Sequence, residues 1–305
     1  MNATGTSSPA VTARRILVTG VTGMVAGPIA EALAADNEVW AAARFSDTAA
    51  REHLEQTGIR CVVVDLAGGD LSSLPTDFDY VLNFAAQKSG GLNASLVVNA
   101  EGLGLLMAHC KSATAFLHCS STAVYADTEE ALTEAHMLGD NHGPAMPGYS
   151  ISKIAAEAVA RTAARQFNVP TTIARLNVPY SDSAGWPGIH LDQILAGKPI
   201  AVHSESPCAY CPIHLEDMLR TLPGLLDAAS VPATIVNWGG HQRVTIEEWC
   251  DHLGAITGRK VEYLRTPRTL RSVVVDTSKL NALAGPTLLD WHEGLERMVA
   301  NRLDA

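Results

Sequence analysis

Five short apolar runs mark the first 120 positions: Arg15-Ile-Leu-Val-Thr19, Glu38 to Ala43, Arg60-Cys-Val-Val-Val-Asp65, Tyr80-Val-Leu-Asn-Phe84 and Ala115-Phe-Leu-His-Cys-Ser120. A strand with one wet face alternates apolar and polar residues. These runs do not, so they predict strands covered on both faces, as in a parallel sheet. Between and after them, Met24 to Ala35, Leu96 to Ser112 and Tyr149 to Asn168 predict helices, and Thr171 to Leu176 a sixth strand. Strand–helix alternation with right-handed crossovers gives an α/β, doubly wound architecture. Beyond Pro179 the pattern shortens and breaks at Trp186-Pro-Gly188 and Gly197-Lys-Pro199. We expect a main domain over 14–180, to which 213–240 returns, and a smaller C-terminal substrate-binding lobe from 181–212 and 241–305. Residues 1–13 are rich in Ser, Thr and Ala and are expected to form a flexible tail.

The first strand runs directly into Thr19-Gly-Val-Thr-Gly-Met-Val-Ala26. Gly20 and Gly23 permit a tight turn with Thr22 at its apex. The helix after it, opening near Met24 and Val25, aims its N-terminus at whatever sits above the turn. That is the arrangement by which a Rossmann fold holds a dinucleotide pyrophosphate. Strand before and helix after are the context such a glycine pattern requires. The second strand would end in an acid if it bound the ribose hydroxyls of NAD. Ala43 stands there instead, followed by Arg44, whose guanidinium matches a 2′-phosphate. NADP is therefore the expected cofactor, with NAD as the alternative. Asp65, ending the third strand, reads either as an adenine acceptor or as a turn former.

Charge narrows the partners. Asp and Glu number 32 against 22 Lys and Arg, a net charge of −10. Such a chain is repelled by nucleic acids and anionic membranes, so neither is expected as a partner. No run of 18 or more apolar residues is present. Six scattered cysteines do not suggest a disulfide framework and fit a reducing, cytoplasmic setting. Cys208-Ala-Tyr-Cys211 and His214 have ligand-like spacing, but no fourth ligand is near, so no metal is expected.

The candidate chemistry centres on Tyr149-Ser-Ile-Ser-Lys153. A spacing of four puts both side chains on one helical face. A free phenol titrates near about 10, and a neighbouring ammonium is expected to lower it, so that the tyrosine exchanges a proton with a substrate oxygen. Cys119-Ser-Ser-Thr122 lies at the C-terminal edge of the fifth strand, the edge where ligands bind in open α/β sheets. A hydroxyl there would meet the same oxygen.

At this point the chain resembles the extended short-chain dehydrogenase/reductase (SDR) family, in its NAD(P)-dependent epimerase/dehydratase-like branch. The resemblance rests on Thr19-Gly-x-x-Gly23, Asp65-Leu66, Asn83-Phe-Ala-Ala86, Asn99, Ser120-Ser-x-x-Val-Tyr125, Tyr149-x-x-x-Lys153 and Arg175-Leu-Asn-Val-Pro-Tyr180. His214-Leu-Glu-Asp217 and Asn237-Trp-Gly-Gly240 extend it. It implies catalytic roles for Ser121, Tyr149 and Lys153, with Lys153 also on the nicotinamide ribose. Leu66, Phe84, Ala85, Ala86, Asn99, Cys119 and Val178 would line the cofactor. Gln87, Lys88, Thr122, Asn177, Trp186 and Tyr210 are candidate substrate contacts. The alternative for Ser121 is a strand-end cap.

Three departures shape the functional expectation. Ala26 replaces the third glycine of the turn. Thr122-Ala123 occupies the places where the dehydratase branch carries Asp-Glu, which argues against dehydration. Tyr210 stands where nucleotide-sugar members carry a diphosphate-binding arginine. The expected activity is thus NAD(P)(H)-dependent oxidoreduction of a small carbonyl or secondary alcohol. A sugar or nucleotide-sugar epimerase is the alternative, and a non-catalytic NADP sensor the second alternative. The apolar helices 96–112 and 149–168 suggest a homodimer, as the family commonly forms through paired helices.

Overall fold

The computed structural model describes residues 11–303. Most of the tail expected at 1–13 thus lies outside the described residues. Seven parallel strands form the central sheet. Six are β1 (Arg15–Thr19), β2 (Glu38–Ala43), β3 (Arg60–Val63), β4 (Tyr80–Asn83), β5 (Ala115–Ser121) and β6 (Thr171–Leu176), and the seventh is Thr234–Trp238. Their order is Thr234–Trp238, β6, β5, β4, β1, β2, β3, with Ile16 opposite Val39 and Tyr80, and His118 opposite Asn83 and Ile173. The order reverses between β1 and β4. Connections leave the sheet on opposite sides there and open a crevice at the carboxyl ends of the strands.

Both sheet faces are covered, which is why the strand sequences lack polar alternation. On one face α1 (Ala26–Ala34) and the helix Leu215–Asp227 pack over Ile16, Val18, Leu117 and Val236. On the other, the helices Gly102–His109 and Tyr149–Phe167 cover Leu17, Val81, Phe116 and Ile173. A third apolar cluster, with Trp249, Leu253, Leu191 and Met298, forms the C-terminal lobe and draws in Val124, Tyr125 and Leu132.

Several elements differ from the sequence reading. The first helix begins at Ala26, because Met24 and Val25 belong to the turn. A helix at Thr48–Gln56 was missed. It buries only Leu54, so it carries little apolar signal, and Asp47 caps it by accepting from Ala49 and Ala50 N–H. The helix expected from Leu96 is instead Gly91–Leu96, a π-helical turn Val97–Glu101, and Gly102–His109. The whole segment Gly91–His109 has a mean hydropathy of 1.2 and is, among the described residues, the one helix long and apolar enough to cross a membrane. Here Leu103, Leu106 and Met107 of that segment are fully buried in the core.

Candidate active site

The crevice between β1 and β4 deepens into a cavity of about 720 Å³. Its floor is the β1–α1 turn. Gly20 sits at φ +74°, where a Cβ would stand 2.8 Å from the amide nitrogen of Ala85. Only glycine lets β1 and the β4 loop approach this closely. The close approach expected of residue 26 is made one position later: a Cβ on Gly27 would lie 2.7 Å from the Val21 carbonyl oxygen. Gly20, Thr22, Gly23, Met24 and Val25 all border the cavity, and a bare backbone turn at a helix N-terminus suits a pyrophosphate. The residues present therefore fit a dinucleotide.

Arg44 and Asp65 close this end of the cavity. Arg44 is exposed and has no ion pair or hydrogen bond among the described residues. Asp65 accepts from the Ala67 N–H at 3.0 Å, so the turn-forming reading holds, and it still borders the cavity. Leu66, Phe84, Ala85, Ala86 and Val178 line the walls. Asn99 does not. The π-helical turn that contains it directs its side chain away from the cavity, where it accepts from Gln87 N–H (2.7 Å) and donates to the Gln87 carbonyl (3.0 Å) and to Ser152 Oγ (3.0 Å). Asn99 is thus a brace for the β4 loop, and its expected cofactor contact is corrected.

At the other end stand the predicted catalytic side chains. Tyr149 and Lys153 share one face of the helix Tyr149–Phe167, and both are buried. Ser121, the last residue of β5, caps the short turn Thr122–Val124 by accepting from Ala123 N–H at 3.1 Å. It borders the cavity together with Tyr149. Cap and site residue are the same group. Cys119, one turn of the strand below, receives Lys153 Nζ on its carbonyl at 2.9 Å. Burial raises its thiol to about 11.

One expectation fails here. Lys153 does not lower the Tyr149 phenol: burial pushes the phenol up, the Cys119 thiol adds to this, and the nearby Ser121 hydroxyl opposes it. Burial likewise lowers Lys153. The ammonium is turned toward a carbonyl and not toward the phenol, so the phenol keeps its proton at neutral pH.

Beneath the site lie two buried polar arrays. Thr19 Oγ1 donates to Asn83 Oδ1 (2.6 Å), and Asn83 Nδ2 meets His118 Nδ1 (3.1 Å), crossing β1, β4 and β5. Burial, then the Lys153 charge, holds His118 neutral. Next to it, Glu157 accepts from Ser120 Oγ (2.6 Å) and from both Nε (2.9 Å) and Nη2 (2.7 Å) of Arg175. The Arg175 guanidinium lies 4.7 Å from the Tyr125 ring centroid, and Tyr125 donates to Asn237 Oδ1. These arrays fix the strand ends that carry Cys119 and Ser121.

The expected substrate contacts divide. Gln87, Lys88, Thr122 and Trp186 border the cavity. Asn177 does too, but its amide is committed: it donates to the Val273 carbonyl (2.8 Å) and Thr122 Oγ1 (3.3 Å) and accepts from Cys211 N–H (3.0 Å). Tyr210 offers only a ring edge. Its hydroxyl donates to the carbonyls of Leu270 and Arg271, and its ring packs edge-on to Trp186 at 5.1 Å. Both border the cavity, with their polar atoms bonded to the protein. The cysteine–histidine set also separates: Cys211 Sγ faces Val275, and His214 bridges Glu216 N–H and Asp182. Among the described residues no group of three His, Cys, Asp or Glu is placed to hold a metal.

Sequence reading missed His142, Met146, Arg268 and Leu270, all on the cavity wall. Their loops carry no motif, and only the fold brings them to the crevice.

Comparison with known proteins agrees with this architecture. No curated protein matches the sequence. Among solved structures, a UDP-glucuronic acid 4-epimerase from Bacillus cereus, in complex with UDP-glucuronic acid and NAD, is 21% identical. It has a TM-score of 0.79 and covers 95% of this chain and 99% of its own. A UDP-glucose 4-epimerase from Thermotoga maritima with UDP-glucose is 19% identical with a TM-score of 0.82 over 95% and 99% of the two chains. A dTDP-glucose 4,6-dehydratase from Streptomyces venezuelae, with NAD bound, is 20% identical with a TM-score of 0.78 over 95% and 97%. The family model for the NAD dependent epimerase/dehydratase family matches residues 16–234. That span holds the glycine turn, the serine at the end of β5 and the Tyr149–Lys153 pair, and the chain belongs to the NAD-dependent epimerase/dehydratase family, whose members are enzymes of the SDR superfamily.

Proposed function

We propose that this enzyme interconverts a carbonyl and a secondary alcohol on a small molecule, with Tyr149 as general acid and base. The observation that carries the reading is the buried Tyr149, on the wall of the same cavity as Ser121 and Lys153, which begins at the Gly20 turn. A bound nicotinamide supplies or accepts the hydride. Tyr149, protonated at neutral pH because burial raises it, gives its proton to the substrate oxygen as negative charge develops there. Ser121 orients that oxygen, and Lys153, held by the Cys119 carbonyl, ties the start of the helix that carries Tyr149 to the end of β5. The free Arg44 guanidinium supports NADP as the preferred cofactor.

A second reading is favoured by the family match and by the nucleotide sugars named with the similar structures: the hydride is returned to the same substrate on its other face, an epimerisation. Reduced-cofactor absorbance separates the two. A reductase consumes cofactor in step with substrate, whereas an epimerase inverts a centre with no net change. In either case Tyr149→Phe should cost about 10²- to 10⁴-fold in turnover; undiminished turnover would remove Tyr149 from the chemistry.

A further inference from the structure

The cavity wall is cationic in an acidic chain. Arg44, Lys88, Lys153 and Arg268 border it, against one carboxylate, Asp65, although acids outnumber bases 32 to 22 overall. Arg44 and Asp65 lie at the glycine-turn end, and Lys153 is engaged by the Cys119 carbonyl. Lys88 and Arg268 are both exposed and neither side chain is engaged by another among the described residues; of the two, Lys88 is the one that lies against Tyr149. It stands in the loop after β4 with its Nζ 6.0 Å from the Tyr149 ring centroid, and it forms no ion pair or side-chain hydrogen bond among the described residues.

His142 also faces the phenol, its ring centroid 6.3 Å from that of Tyr149. It supplies no counter-charge and no second cation. Asn141 Nδ2 donates to the Thr122 carbonyl, which leaves Asn141 Oδ1 as the acceptor for His142 Nδ1–H. Burial holds this imidazole at about 4, neutral near pH 7. Lys88 therefore presents an uncompensated positive charge beside the proton donor.

We propose that Lys88 is a specificity-determining cation for a carboxylate carried on, or one bond from, the carbon that reacts at Tyr149, so that the substrate class is a keto or hydroxy acid. The inference rests on the assignment of Tyr149 as the proton-transfer group. A carboxylate suits the site better than a phosphate, because Lys88 supplies one positive charge, which matches a carboxylate monoanion, whereas a phosphate group carries about −1.5 to −2 at neutral pH.

The test uses the full chain loaded with NADPH, or with NADH if that is the cofactor it retains, and follows reduced-cofactor fluorescence. Pyruvate, acetoacetate and glucuronate are each titrated beside their methyl esters, together with dihydroxyacetone phosphate. At least one acid should bind about tenfold more tightly than its ester. K88M should bring that pair to within about twofold, and K88R should restore most of the difference. Equal binding in every pair, no binding by any acid, tighter binding of the phosphate, or an acid preference that survives K88M would each overturn the proposal. Y149F separates the two layers. Acid preference kept with turnover lost supports both, whereas acid preference with unimpaired turnover leaves the Lys88 subsite standing and removes the role given to Tyr149.

Discussion

The proposed cofactor preference and the proposed proton transfer each rest on single side chains. Arg44 leaves β2 toward solvent at the cavity mouth, with Phe45 after it held at φ +46° and buried. A bulky residue in that region is unusual, and its packing sets the direction in which the chain carries Arg44. Replacing Arg44 by Ala should weaken NADP binding about tenfold or more, the worth of a charge-assisted contact, and leave NAD nearly unaffected. Fluorescence titration with the two cofactors checks this, and equal losses for both would argue against a 2′-phosphate contact. Much at this scale was legible in the chain. Gly20, Gly23, Ser121, Tyr149 and Lys153 are found together because each sits at the end of an element that the sequence marks clearly. The roles of Asn99 and Tyr210 were not legible. The partners of Asn99 are set by a π-turn, and the Tyr210 hydroxyl meets carbonyls 60 and 61 positions away in the chain.

At the scale of elements, β5, β6 and the helix Tyr149–Phe167 are pinned by Glu157 and Arg175, both almost wholly buried. The pair is bidentate, and each partner leaves an uncompensated charge if the other is lost. Glu157→Gln should therefore destabilise the fold by about 3 kcal/mol or more, read by urea or thermal unfolding. Ser120→Ala, which removes one hydrogen bond to the same carboxylate, should cost about 1 kcal/mol. A negligible effect of Glu157→Gln would mean that the ion pair is not needed to seat these elements. The strands were readable because burial on both faces erases polar alternation. The helix at Thr48–Gln56 was not, because only Leu54 is buried and the rest of its surface is polar. The π-turn was not either, since it answers to Gln87 on another loop.

For the whole molecule, the helices Gly91–His109 and Tyr149–Phe167 leave an apolar strip on the surface. Leu105 and Ile151 are 48% and 44% exposed, with Val98, Ala155 and Val159 partly covered beside them. A second copy of the chain would bury that strip. Light scattering should return twice the 32.3 kDa chain mass, and Ile151→Asp should return a single chain. A monomeric wild type would refute the pairing.

The order of the central sheet has a consequence for how the protein emerges during synthesis. The strand beside β6, Thr234–Trp238, is separated from it in sequence by much of the lobe. A nascent chain that has completed β6 still presents it as an open edge, with Arg175 paired to Glu157 but Tyr125 lacking its Asn237 partner. The wall at Arg268 and Val273 comes later still. If the chain folds as it emerges, the glycine turn is completed first and the opposite end of the cavity last. A truncated product, however well its first strands pair, would have a dinucleotide floor with no chamber above it, and an exposed strand edge that invites wrong partners.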